Sequence, residues 1–279
     1  MTASAAATSA PSRPVLRVSR RRVVDLVGHV YVWLILLVFV LPFLTLLGVS
    51  FKGAGGTYAV QNFQYVLGSF GDNLWWSFRI SGLTLVINVV VALPAAYAIV
   101  RYPFPGKRLL YSLLTMPLYV PGAVIGISLV LVYNLSYHLT TSVWGLVFAM
   151  AMGTVPLMLT PIVVALRDLP IAFEEAAACL GATRWQTYWR IVFPLIGPGV
   201  SAGLMLTFII VFNEYLVTLF VHPPSVTTAP LRVFNLVRTA GLQPTTAALA
   251  VTMQLISFTA ILVFFRVFGT RYLKGTYLI

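Results

Sequence analysis

The sequence predicts an all-α fold: a polytopic transmembrane helix bundle of about six spans, with both termini cytoplasmic and a cytoplasmic helix pair between the fourth and fifth spans. Three observations predict it. Only 9% of the 279 residues are charged, 59% are hydrophobic and mean hydropathy is +0.94, too little charge to cover a soluble domain of this size. Apolar runs of about 20 residues, enough to cross the hydrocarbon core of a bilayer, recur along the chain. The basic residues divide unequally between the two sets of loops that these runs define, as the positive-inside rule requires.

The spans read as Val30–Val49, Ile80–Val100, Leu109–Tyr133, Trp144–Leu166, Gly199–Val221 and Ala247–Phe268. One set of loops holds fourteen of the eighteen Lys and Arg residues; the other holds only Lys52, Arg79, Arg232 and Arg238. That asymmetry predicts termini on the inside. It also accounts for the net charge of +12 without nucleic acid, because the charges are scattered over short segments and form no single face.

Residues 1–28 read as a cytoplasmic tail, disordered at its Ala-, Ser- and Pro-rich start, and residues 29–279 as the transmembrane domain. The first apolar run is too long for a cleaved signal and lacks a small-x-small site near Val49, so it reads as an anchor. Ser50 to Ser77 forms the longest external loop, with Trp75 and Trp76 suited to the membrane–water boundary. The last external loop, His222 to Thr246, holds four prolines around one short helix over Leu231–Val237.

Pro42, Pro94, Pro117, Pro121, Pro156 and Pro161 fall in the spans. They fit either static kinks or a packed bundle that moves. Gly122-x-x-x-Gly126 and Gly199-x-x-x-Gly203 allow close helix contact.

Residues 167–196 carry the most specific local pattern. Asp168 can cap a helix beginning near Pro170, with Glu174 and Glu175 in its first turns, where the dipole favours negative charge. Ala176, Ala177, Ala178 and Leu180 are strong helix formers, and Gly181 supplies a C-terminal stop. Thr183 and Gln186 form a capping-box signature for a second helix. That helix sets Trp185, Tyr188 and Trp189 on one face. From residues alone, two readings stay open: a docking element for another protein, or an interfacial helix resting on headgroups.

Glu175-Ala176-Ala177, three residues, Gly181, nine residues, then Ile191-x-Phe193-Pro194 resembles the signature of the integral membrane subunits of binding-protein-dependent ABC importers. The family usually has Leu where this chain has Phe193. The resemblance covers the chain from about residue 30 onward. It implies a coupling helix that docks on an ATP-hydrolysing subunit, through Glu174, Glu175, Ala176, Ala177, Gly181, Trp185, Tyr188, Trp189, Ile191 and Pro194. It further implies a homologous permease subunit, two ATP-binding subunits that hold ATP and Mg, an extracytoplasmic substrate-binding protein, and a bacterial cell membrane around them.

The chain itself carries no cofactor signal and no enzyme signal. Gly106-Lys107 is followed by Arg108, and position 101, where the motif's first glycine would stand, is Arg, so no phosphate-binding loop is present. His29, His138 and His222 are isolated, and Cys179 is the single cysteine. No Gly-x-Ser-x-Gly or His-Glu-x-x-His motif occurs.

Of the six acidic residues only Glu214 falls inside a predicted span. Three readings stay open for it: lining the pathway, holding the partner permease, or sitting near the outer interface. Asn213 and Asn88 are weaker candidates for the same roles. The stretch Phe212–Val221 and Pro230–Asn235 resembles the second permease of polyamine-type importers, which implies a polyamine or related cationic cargo. An aminophosphonate, ferric iron or a sugar are the alternative cargoes. A stand-alone secondary transporter or channel is the competing class, and it would favour more intramembrane ionisable residues than Glu214 alone.

Overall fold

The computed structural model describes residues 20–53, 60–136 and 142–266. The tail before Arg20, Gly55 and Gly56, His138, the end of the last predicted span at Phe268, and Arg271 and Lys274 lie outside them. The chain divides into two compact units, Met1–Leu46 and Leu47–Ile279. The regular elements among the described residues are helices.

The first unit is the greater part of α1 (Arg20–Ser50). From Val27 onward it has a hydropathy of 2.8, and Trp33, Val38 and Phe39 are exposed. A helix apolar on every side belongs in hydrocarbon rather than water.

In the second unit the chain runs through α2 (Gln61–Ser69), α3 (Gly71–Arg101), α4 (Lys107–Thr115) and α5 (Gly122–Ser136). It continues through α6 (Val143–Asp168), α7 (Ala172–Cys179), α8 (Arg184–Thr187), α9 (Phe193–Leu195) and α10 (Gly197–Phe212). It closes with α11 (Leu216–Val221), α12 (Ala229–Ala240) and α13 (Pro244–Phe264). A single 3₁₀ turn, Met116–Tyr119, joins α4 to α5, and a π turn, Tyr188–Val192, joins α8 to α9.

The centre is a packed trio of α3, α6 and α10. Leu93, Ala96 and Ile99 of α3 meet Met158, Leu159, Ile162 and Leu166 of α6, and Val192 and Ile196 close that cluster at the end nearest α7. At the opposite end α2 and α12 pack on α13, and two long-range bonds tie the entry of α12 to the start of α3. Asn73 Nδ2 donates to the Thr227 carbonyl at 2.7 Å, and the Ala229 N–H donates to Ser77 Oγ at 2.9 Å.

Both small-residue motifs sit at helix crossings. A Cβ on Gly199 would stand 2.6 Å from Ala165 Cβ and from the Pro161 carbonyl oxygen, and one on Gly203 would stand 2.7 Å from Met158 Sδ. Gly126 of α5 lies equally tight against Phe220 of α11. Removing Cβ lets the backbones approach within van der Waals contact, the main source of helix association where lipid is as apolar as the side chains.

Two predicted spans are not continuous helices. Leu109–Tyr133 divides into a Lys107–Tyr119 limb and a Gly122–Asn134 limb that meet at 110°. Pro117 and Pro121 remove backbone donors there, and Val120 turns extended before Pro121. Gly199–Val221 ends early: α10 stops at Phe212, and Asn213, Glu214 and Tyr215 are non-helical before α11. A second bend of 65° separates Arg184–Leu195 from Gly197–Phe212. Pro94, Pro156 and Pro161 lie inside α3 and α6 without breaking them. Among the described residues, four helices are long and apolar enough to cross a membrane, or up to six when each bent pair counts as one.

Gly199→Val would drive a branched side chain into backbone, so it should destabilise the α6–α10 crossing by about 1–3 kcal/mol. Gly153→Ala, whose added Cβ meets nothing within 4 Å, should be neutral. Thermal unfolding in detergent, followed by size-exclusion fluorescence, checks both.

Candidate functional site

Residues 169–196 form a hairpin that leaves α6 and re-enters through α10. The helix of α6 runs through Asp168, so Asp168 does not cap the next helix as the sequence predicts. Leu169 turns extended ahead of Pro170, whose ring disfavours a helical residue before it, and α7 starts at Ala172 with no side-chain cap.

Glycine ends α7 as the sequence predicts. Gly181 has φ +82°, its N–H donates to the Ala178 carbonyl, and the Ala182 N–H reaches back to the Ala177 carbonyl, both at 3.0 Å. This pair of bonds is the Schellman motif, which satisfies two orphan carbonyls. The capping box on α8 is present in both directions: Thr183 N–H donates to Gln186 Oε1 at 2.9 Å, and Gln186 N–H to Thr183 Oγ1 at 3.3 Å. Pro194 then has no N–H for the Arg190 carbonyl, and the wide turn at Tyr188–Val192 accommodates its ring.

The two glutamates diverge. Glu175 is exposed, whereas Glu174 is turned into the bundle. Glu174 Oε1 accepts from Arg101 Nε at 2.6 Å and Oε2 accepts from Tyr97 OH at 2.7 Å, while Arg101 Nη2 donates to the Leu169 carbonyl at 2.9 Å. No local pattern in the sequence singles out Tyr97 and Arg101, although they lie four residues apart on one face at the end of α3.

The outward face of the hairpin is more apolar than the sequence suggests. Ile171, Phe173, Ala176 and Leu180 are exposed beside Glu175, and Leu180 is 89% exposed, while Ala177 is buried. The signal for Leu180 was its position at the stop itself, where a leucine has no helix face to hide on.

Trp185, Tyr188 and Trp189 do share a face, with ring centroids 5.4 and 5.2 Å apart in the Trp185–Trp189 and Tyr188–Trp189 pairs. That face lines an open groove of about 530 Å³ whose other wall is Val89, Leu93, Pro94 and Tyr97 of α3, and Trp185 and Trp189 remain exposed. Ile191 is half-buried and Pro194 exposed.

The intramembrane candidates separate as well. Asn88 Nδ2 donates to Thr154 Oγ1 at 2.8 Å, which in turn donates to the Met150 carbonyl, so Asn88 ties α3 to α6. Asn213 Nδ2 bonds the Ile209 carbonyl and Ser257 Oγ, holding the end of α10 near α13. Glu214 sits at the break and accepts the Val217 N–H at 3.0 Å. It faces a cavity of about 220 Å³ lined also by Pro117, Gly122, Met150 and Thr154. A carboxylate at the start of α11 meets unpaired N–H groups, so its charge is partly offset by backbone.

Comparison with known proteins fits this geometry. Residues 88–272 match the family described as binding-protein-dependent transport system inner membrane component. A probable sulfate transport system permease protein of Marchantia polymorpha is 32% identical over 161 residues, 54% of each chain. The sulfate transport system permease protein CysT of Escherichia coli K12 is 32% identical, covering 49% of this chain and 53% of that one. The molybdenum transport system permease protein ModB of the same organism is 32% identical over 59% of this chain and 79% of its own length. The chain thus spans about half the length of the sulfate relatives it matches. Among solved structures, a bacterial ABC transporter that imports alginate superposes with a TM-score of 0.71 at 16% identity, over 90% of this chain and 99% of that chain. The MetNI methionine transporter gives 0.61 at 14% identity, over 71% and 94%. None of these relatives carries the polyamine name that the Phe212–Asn235 stretch implies.

The Schellman stop yields its own test. Gly181→Ala would force a side chain into the left-handed region, at about 1–2 kcal/mol. With nothing within 4 Å of the added Cβ, the cost is backbone strain alone. Hydrogen exchange of the Gly181 and Ala182 amides should speed roughly 5–30-fold.

Proposed function

The chain belongs to the binding-protein-dependent transport system inner membrane component family, and from that premise we propose that it works as one permease subunit of a type I ABC importer. The observation that carries the proposal is the outward face of the α7–α8 hairpin. Ile171, Phe173 and Leu180 expose apolar surface around Glu175 at the end of the bundle, joined directly to α6 and α10. An apolar patch edged by charge in that position fits a protein partner.

The partner is an ATP-binding subunit that carries ATP and Mg itself. Two such subunits, a homologous permease chain and an extracytoplasmic binding protein complete the assembly. The excess of basic residues in the hairpin's set of loops supports a cytoplasmic hairpin in a bacterial cell membrane. Nucleotide-driven closure of the ATPases would move the hairpin, and α6 and α10 would carry that movement to the cavity beside Glu214. The coupling set is then Glu175, Ala176 and Leu180 on the surface, stiffened by Ala177, Gly181 and the Thr183 cap. Trp185, Tyr188 and Trp189 lie beside it, across the groove from α3.

For cargo we propose a tetrahedral oxyanion, sulfate or molybdate, because the sequence relatives named above are sulfate and molybdenum permeases. This takes the place of the cationic reading. Glu214 supports the change, since its carboxylate already accepts a backbone N–H and sits at a helix start, and so does not need a cationic solute for balance.

Leu180→Arg and Phe173→Ser should each weaken retention of the ATPase roughly 30-fold, as loss of an interface anchor worth about 2 kcal/mol does. Co-purification of the complex checks it, and retention as strong as the parent's in both variants would remove the docking surface. Glu214→Gln should leave uptake of labelled sulfate or molybdate within about twofold of the parent. A cation importer that relied on this acid would lose uptake altogether.

A further inference from the structure

The hairpin is bonded to α6 and α10 through the chain, but α3 has no covalent route to it. Its link is polar. Arg101, the last residue of α3, spans two acceptors: Nε donates to Glu174 Oε1 at 2.6 Å and Nη2 donates to the Leu169 carbonyl at 2.9 Å. Tyr97, one turn earlier, donates to the other Glu174 oxygen at 2.7 Å and sets its ring edge-on to Tyr188, centroids 5.1 Å apart. The Arg101 and Glu174 side chains are only 10% and 13% exposed, so neither is offered to a partner.

The arrangement is favourable at both ends. A guanidinium at a helix C-terminus and a carboxylate in a first turn each complement the helix dipole. With water largely excluded, the charged hydrogen bonds are stronger than those of an exposed pair. Apolar packing of α7 is otherwise slight: the main contacts are with α8 and the π turn, and its buried side chain is Ala177.

The geometry points to Arg101 and Tyr97 as positioning residues that pin α7 to α3, so that Glu174 passes hairpin movement to α3 instead of contacting the ATPase. The inference rests on the permease reading above and adds a third helix to the moving body. Of the two neighbouring glutamates, Glu175 meets the partner and Glu174 holds the lever to the bundle. Loss of the pin would let α7 shift without α3, and ATP would be spent on hairpin motion that the pathway does not follow.

The test uses the complete transporter in lipid nanodiscs, with Cys179→Ala as background and spin labels at Val86 of α3 and Ala178 of α7, both exposed. The parent should give one α3–α7 distance, the same without nucleotide and with ATP. Arg101→Gln and Glu174→Gln should each raise a second, detached population roughly tenfold or more, the factor expected from a lost charged hydrogen bond. In proteoliposomes the sulfate delivered per ATP should fall several-fold in both, and the double variant should be no worse than either single one. Tyr97→Phe should fall between them and the parent. Arg108→Gln, at an exposed arginine in the first turn of α4, serves as the control.

A single unchanged distance in Arg101→Gln would overturn the pin, as would additive losses in the double variant or lost uptake with the distance intact. Failure of the parent chain to retain any ATPase would overturn the permease reading and the pin with it. An intact complex with unaltered variants would overturn the pin alone.

Discussion

The close crossing of α6 and α10 is the constraint on which the hairpin's geometry depends. Gly199 and Gly203 bring one backbone against Pro161 and Met158 of the other with no room for a methyl group. The two helices are therefore fixed in separation where the hairpin leaves one and enters the other. Val192 and Ile196, fully buried between α3 and α6, extend the same packed column into the re-entry segment. A hairpin anchored on so narrow a base can swing only by carrying its supports along. Hydrocarbon gives helices no hydrophobic reason to associate, so shape complementarity supplies the stiffness.

Three polar side chains of the bundle each bond to backbone or to a neighbouring helix. Asn88 reaches Thr154, Asn213 reaches Ile209 and Ser257, and Glu214 reaches Val217. The breaks in the helices make some of this possible. Where α10 stops at Phe212 and α11 starts at Leu216, freed N–H groups become available to a carboxylate that would otherwise be costly at membrane depth. The interruption and the acid belong together.

What the sequence revealed was local or averaged. The span positions came from composition over windows of about 20 residues. The Gly181 stop and the Thr183–Gln186 box came from residues within one turn of each other. Direction is lost in such averages, so the 110° bend at Pro121 was invisible, and five other prolines gave the same signal with different outcomes. Asp168 failed as a cap because the apolar stripe of α6 extends to Leu166 and keeps its last turn helical. Glu174 falls in the helix that the sequence predicts, and its side chain turns toward α3. Its partner stands 73 positions earlier, beyond the reach of any local pattern. The aromatic triplet repeats the lesson: spacing put three rings together, and the fold decided which way they look.

The length of α3 sets a depth scale for the whole molecule. At about 1.5 Å per residue, Trp76 and Tyr97 lie roughly 32 Å apart along its axis, close to the thickness of a bilayer's acyl layer. Trp76 carries Arg79 over its ring at one end, and Tyr97 gathers Tyr102 and Tyr188 at the other. Aromatic groups with polar tips settle at headgroup level. The lipid tails then end one turn short of Arg101. Beyond that depth the Arg101 charge needs no lipid partner, because the Glu174 carboxylate already pairs with it.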